Sequence, residues 1–294
     1  MSALIRCLRP HQWAKNLLVA LPLVAAHRVR DGEGWLHVLL AFIAFSLGAS
    51  AMYVLNDLRD RDADRAHPQK SQRPIAAGEV SPGQALGLFA ICALTAALIA
   101  FLLLPRNFLV CLAAYFIIST AYSLKLKRLL MIDVLTLASL YALRLLAGGA
   151  AVDVPLSPWL LAFSMFLFLS IAFAKRYAEL RSMTVQGRED VPGRAYLLVD
   201  LDLIRTLGPT SGYMAVLVFA LYINSPDAQA MYARVNLLWL ICPLLLYWIT
   251  RLWFAAQRGR MHHDPVVFAL TDRGSYAVGA CVLAVALLAS LPVK

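Results

Sequence analysis

The chain has 294 residues, 61% of them hydrophobic, with a mean hydropathy of +0.69. A soluble domain is near half apolar, so this composition excludes one and defines an integral membrane protein. The net charge of +10 would suggest nucleic acid in a soluble protein; here it is assigned to basic loops at a membrane face, and nucleic acid is excluded as a partner.

A helix that spans a bilayer needs about 20 apolar residues. Nine stretches qualify: 13–29, 35–55, 83–104, 107–122, 131–149, 157–174, 203–223, 236–255 and 275–292. The first and fourth have the least certain lengths. Pro82 opens the third stretch, where its missing N–H costs little. Pro22 and Pro243 lie inside apolar runs and are expected to kink them. The segment 13–26 lacks a small-residue cleavage pattern, so no removable signal is expected. Five scattered cysteines, Cys7, Cys92, Cys111, Cys242 and Cys281, form no CxxC pair and read as small apolar residues.

Nine spans would place the N-terminus and the loops after the even-numbered spans on one side. That side carries 21 of the 27 lysines and arginines. The other side has Arg28, Arg30, Arg106, Arg234 and Lys294. Positive charge marks the cytoplasmic face, so the N-terminus and the long polar loops are expected in the cytoplasm. The remaining cation, Arg144, lies about 20 Å along its helix from Met131 at 1.5 Å per residue. It is either functional or snorkels outward.

The most polar run is 56–75, directly after the second stretch. Four of seventeen acidic residues fall between 57 and 64. If the helix continues, Asp57, Asp60 and Asp64 share a face. Like charges at that spacing repel. A solvated helix end balanced by Arg59, Arg61 and Arg65 would tolerate this. So would Mg²⁺, a hard cation with oxygen ligands. Asn56 adjoins the acids, and Lys70 and Arg73 follow within one loop. Carboxylates for a metal beside cations for phosphate suit a diphosphate.

A second polar helix end, Lys175-Arg176-Tyr177-Ala178-Glu179, closes the sixth stretch. It is expected to face the first across a cavity. Lys175 and Glu179 are either an i,i+4 ion pair or a substrate contact. Lys15 and Trp13 are either interfacial anchors or, for Lys15, a contact to a lipid phosphate. Lys125, Lys127 and Arg128 share that ambiguity. His262, His263 and Asp264 are adjacent in sequence, a poor metal set. Asp264 and Asp272 are candidates for ribose or metal contacts. Gly83/Gly87 and Gly208/Gly212 have the spacing of closely packed helices.

Asn-Asp-x-x-Asp-x-x-x-Asp at 56–64 resembles the first motif of the UbiA-type membrane prenyltransferase superfamily. Arg9-Pro10-His11-Gln12-Trp13-Ala14-Lys15-Asn16, the run His67 to Gly78, Tyr122-Ser123-Leu124-Lys125-Leu126-Lys127 and Lys175 to Leu180 resemble its decaprenyl-phosphate phosphoribosyltransferase branch. The resemblance covers almost the whole chain. It implies an all-α membrane protein, one domain over 1–294, with nine transmembrane helices around a central cavity open to the cytoplasmic side. A related subgroup carries a fused phosphatase-like domain, which is not expected here. Ordinary members have a second Asp-x-x-x-Asp, where this chain has Lys175 and Glu179. A lysine there removes a metal ligand and supplies a charge for phosphate.

The resemblance implies an Mg²⁺-dependent transfer of 5-phosphoribose from 5-phosphoribosyl diphosphate to a polyprenyl phosphate in the inner membrane. Asp57, Asp60 and Asp64 would be the catalytic metal ligands. Asn56, Lys15, Lys70, Arg73, Lys125, Lys175, Arg176, Tyr177 and Glu179 would bind substrates. Prenyl transfer to an aromatic or other small acceptor is the alternative, but it predicts an acidic second motif. A transporter would place charge deep in two matching halves, whereas here charge gathers at one face. Self-association as a homo-oligomer is left open.

Overall fold

A computed structural model describes residues 2–66, 70–185, 195–261, 265–269 and 272–291. Eight of its helices are long and apolar enough to cross a membrane. Among the described residues they are Gly32–Arg59, Pro82–Leu103, Arg106–Leu124, Ile132–Ala151, Pro158–Met183, Leu198–Ile223, Val235–Gln257 and Arg273–Ser290. Each matches one of the expected apolar stretches. The caps explain several starts. The Asp31 carboxylate accepts the Gly34 N–H at 2.9 Å. Ser81 and Gln84 form a reciprocal capping box around Pro82, satisfying two of the otherwise orphaned groups.

The first apolar stretch differs from expectation. It forms a 3₁₀ helix, Pro10–Ala20, followed by a short α-helix, Leu21–Ala25. Side chains three apart eclipse in a 3₁₀ helix, so Trp13, Asn16 and Val19 share a line. The Trp13 indole donates to Ser50 Oγ at 3.0 Å, and the Asn16 amide donates to Ser46 Oγ at 3.0 Å. Ser50 in turn donates to the Leu8 carbonyl at 2.8 Å. Three residues of 3₁₀ rise about 6 Å, as do four residues of α-helix. The 3₁₀ form therefore keeps Trp13 and Asn16 in register with Ser50 and Ser46; an α-helix would lose one of the two contacts.

The chain divides into two compact units. The first comprises Met1–Lys125 and Leu143–Leu156. In it the Gly32–Arg59 helix packs against the 3₁₀ segment and the Pro82–Leu103 helix. Small residues line much of its buried side, including Ala41, Ala44, Gly48, Ala49 and Ala51. The Pro82–Leu103 helix is apolar all round and exposes Leu86, Ile91, Leu94, Leu98 and Phe101, as a lipid-facing helix does. Gly83 and Gly87 have nothing within 4 Å of a built Cβ, so their spacing does not mark close packing.

The second unit comprises Leu126–Ala142 and Ser157–Lys294. Its Pro158–Val185 and Leu201–Ile223 helices pack extensively together. Here the glycine expectation holds. A Cβ on Gly208 would lie 1.9 Å from the Trp253 ring, and one on Gly212 2.6 Å from Ile249. The cysteines are all free; Cys7 and Cys92 are buried and Cys281 is exposed. Burial pushes the Cys7 thiol up, which makes it unreactive.

The 3₁₀ segment has its own close approach. A Cβ on Gly148 would fall 2.2 Å from the Val19 carbonyl oxygen, a backbone atom. Gly148→Ala is expected to lower stability in detergent by about 1–3 kcal/mol. Gly279→Ala, with open space around it, should be neutral or stabilising, since alanine favours helix. Thermal midpoints of the purified variants test this; equal midpoints would show that the segment yields freely.

Candidate active site

In the first unit the Gly32–Arg59 helix ends at its polar run. The α-helix stops at Arg59, and Asp60 is the hinge to a short helix, Arg61–Arg65. The expected continuous face through Asp57, Asp60 and Asp64 is therefore broken at its middle residue. Even so, Asp57 and Asp64 converge. Both are 3% exposed, and both contact one nitrogen of Arg73. Nη1 lies 3.0 Å from Asp57 Oδ1 and 2.6 Å from Asp64 Oδ2. Arg9 Nη2 holds both oxygens of Asp57 at 2.7 Å.

Arg9 owes its aim to its backbone. It caps Ala3–Leu8 at φ 51°, ψ 59°, the left-handed region that costs a non-glycine residue about 1 kcal/mol or more. The following Pro10 disfavours the right-handed region for it. Its guanidinium also lies 5.2 Å from the Tyr53 ring centre. The sequence pattern alone assigns Arg9 no role. Its position before a proline at the start of an apolar run was the available signal.

Two hard-oxygen carboxylates converging on one positive atom are chemically suited to a divalent cation. Among the described residues, however, no three His, Cys, Asp or Glu side chains assemble as a metal cage. The expected three-carboxylate set is thus a converging pair, with the half-buried Asp60 at the bend. Asn56 is half-buried, and Lys70 is exposed.

Lys15 is 7% exposed, so it is enclosed by protein and not a membrane-surface anchor. Arg144 does not snorkel. It is 5% exposed, and its Nε donates to Asn16 Oδ1 at 2.9 Å. Its guanidinium lies 5.3 Å from the Tyr115 ring and 5.6 Å from the Phe45 ring. Such contacts stabilise a desolvated cation, and here they fix the 3₁₀ segment through Asn16. Lys125 is exposed at the end of its helix.

In the second unit the polar end of Pro158–Val185 is built around Arg176, which is 1% exposed. Arg176 Nε lies 2.5 Å from Asp133 Oδ2, and Asp133 is fully buried. The short contact lacks hydrogen-bond alignment, so its strength is in the charge. Arg176 Nη1 also pairs with Glu179. The Arg176 charge is thus enclosed between two carboxylates. Tyr177 is 6% exposed and packs edge-on against Trp253, with ring centres 5.9 Å apart. It packs as a core residue. Lys175 and Glu179 are half-buried and remain the accessible members of the motif. Asp133 had no place in the sequence reading; an acid opening the apolar run 131–149 was its signal.

Asp272 also has a structural role. It caps Arg273–Ser290, accepting the Ser275 N–H at 2.8 Å, and it is forked by Arg251. The expected ribose or metal contact is not what its geometry supports. His67, Pro68, Gln69, His262, His263 and Asp264 lie outside the described residues.

The apolar helices and their polar ends define a multi-pass membrane protein with cation–carboxylate clusters at its polar helix ends. The UbiA prenyltransferase family matches residues 17–271, and the chain belongs to that family of membrane transferases. It is 34% identical to decaprenyl-phosphate phosphoribosyltransferase of Mycobacterium tuberculosis, over 93% of this chain and 89% of that protein. It is 33% identical to nodulation protein NoeC of Azorhizobium caulinodans, over 95% of this chain and 89% of that one. It is 35% identical to protein y4nM of Sinorhizobium fredii, over 94% of this chain, and spans 53% of that longer protein. A UbiA homologue of Archaeoglobus fulgidus, solved with DMAPP and Mg²⁺, superposes with a TM-score of 0.70 at 17% identity, over 98% of this chain and 99% of that one.

Asp272 gives a pH prediction. Burial alone would raise its carboxyl, but hydrogen bonds from Arg251 and Ser275 outweigh it and hold the group below its ordinary value. A depressed carboxylate contributes stability above its unfolded pKa and loses it as pH falls through the folded value. Asp272→Asn should therefore be least stable relative to the parent at neutral pH. The gap should shrink as pH falls below the ordinary carboxylate range. Melting curves across acid pH check this; a gap independent of pH would remove the ion pair from the account.

Proposed function

We propose that the protein transfers 5-phosphoribose from 5-phosphoribosyl diphosphate to a polyprenyl phosphate, releasing diphosphate, at the cytoplasmic face of the inner membrane. The observation that carries this reading is Lys175. It stands where ordinary members of the superfamily have an aspartate, and it leaves Lys175 and Glu179 as the accessible pair of the second motif. A lysine there favours a donor with an additional phosphate over a prenyl diphosphate that takes a second metal. The identity to the mycobacterial phosphoribosyltransferase over most of both chains supports the same substrates.

Asp57, Asp60 and Asp64 are the carboxylates assigned to Mg²⁺, and Asn56 orients or adds a ligand. Bound there, Mg²⁺ would supply charge neutralisation to the departing diphosphate. Arg9 and Arg73 hold Asp57 and Asp64 in place, and Arg73 and Lys70 face the diphosphate. Lys175 takes a donor phosphate as a point charge, and Glu179 takes ribose hydroxyls. Lys15 and Lys125 are assigned to the lipid phosphate. That phosphate is already an anion, so no general base is required. It attacks the ribose carbon as the bond to diphosphate breaks. Positioning and electrostatics carry the rate.

Prenyl transfer is the second reading, favoured by the fold shared with a homologue that binds DMAPP. One assay separates the two: purified protein, Mg²⁺, labelled phosphoribosyl diphosphate and decaprenyl phosphate. Labelled lipid is expected. Its absence, with turnover of a prenyl diphosphate instead, would overturn the proposal.

Two variants test the residue roles. Asp60→Asn should cut Mg²⁺-dependent turnover by about 100-fold or more, as loss of a metal ligand or its support does; retained activity would free Asp60 of that role. Lys175→Asp should abolish phosphoribosyl transfer, and unchanged transfer would show that Lys175 does not hold the donor.

A further inference from the structure

Asp133 is a completely buried carboxylate in the first turn of Ile132–Ala151. The helix N-terminus favours an anion there, but removing a charge from water costs several kcal/mol even after relaxation. Arg176 offsets that cost. An apolar pair of similar volume would serve stability as well or better, so stability alone does not explain the choice.

The arrangement around Arg176 does. Its guanidinium has a rigid planar fork of donors. One branch, Nε, is on Asp133 at 2.5 Å. Another, Nη1, is on Glu179. Side-chain exposure rises along this chain, from 0% at Asp133 and 1% at Arg176 to 33% at Glu179. The buried acid fixes the guanidinium, and the guanidinium fixes an accessible carboxylate one helical turn further on. Two flanking groups stiffen the base of this arrangement. Met131, at φ 65°, has its N–H on the hydroxyl of the buried Tyr196 at 3.3 Å. Tyr177 is wedged against Trp253.

We propose that Asp133 is a positioning residue for the donor: through Arg176 it holds the Glu179 carboxylate in the orientation that accepts the ribose hydroxyls. This rests on the phosphoribosyl reading above. It separates the members of the second motif by task. Glu179 touches the donor; Arg176 and Asp133 never do.

The test is a double-mutant cycle on the labelled-lipid assay. Asp133→Asn and Glu179→Gln should each raise KM for phosphoribosyl diphosphate by roughly tenfold, leaving KM for decaprenyl phosphate unchanged. Combined, they should cost little more than either alone, because both act on one carboxylate. Asp133→Leu combined with Arg176→Met controls for folding. It should keep the parent's thermal midpoint and still show the raised donor KM. Additive losses in the cycle, or parental donor KM in the apolar pair, would overturn the inference while labelled lipid still forms. A parent protein that makes no labelled lipid would overturn the phosphoribosyl reading and this inference with it.

Discussion

Moving a carboxylate from water into an apolar bundle is costly unless a cation is fixed beside it. This chain buries Asp57, Asp64 and Asp133, and each is met by a guanidinium. The choice follows from geometry. A planar fork engages two acceptors at once and loses less freedom per contact than a flexible lysine. Arg73 thereby ties the end of one helix to the short helix after it, and Arg176 ties the starts and ends of two others. Lys70, Lys125 and Lys175, by contrast, are exposed or half-buried.

Much of this was legible in the sequence. Eight apolar stretches became helices, because length and hydropathy suffice for a membrane helix. The first forms a 3₁₀ helix and a short α-helix instead. Its apolar content was right, but Trp13 and Asn16 had partners on another helix, and matching their spacing required a tighter turn. The spacing of the acidic run predicts one helical face, but Asp60 breaks the helix there. Arg73 was picked as a phosphate ligand, and its pairing with both acids depends on chain folding that no spacing reports.

The second motif had the largest revision. Lys175, Arg176, Tyr177 and Glu179 lie within five residues, yet a helix turns about 100° between neighbours. Arg176 and Tyr177 consequently point into the second unit, whereas Lys175 and Glu179, four apart, share the other side. Asp133 was invisible because a single acid at the edge of a hydrophobic run has no local signature. Arg144 was singled out correctly as unusual, and its burial against Tyr115 and Asn16 explains it without a ligand.

The 3₁₀ segment has a consequence for reach. Its 11 residues and the five of the following α-helix rise about 30 Å together, against about 24 Å if all were α-helical. The hydrocarbon core is about 30 Å thick. Winding more tightly thus lengthens the segment, and a stretch short by residue count gains the thickness of a bilayer. The residue at its start, Arg9, is the one that grips Asp57. The same stretching that serves the serine contacts therefore acts as a spacer, setting the depth at which the arginine meets the acid.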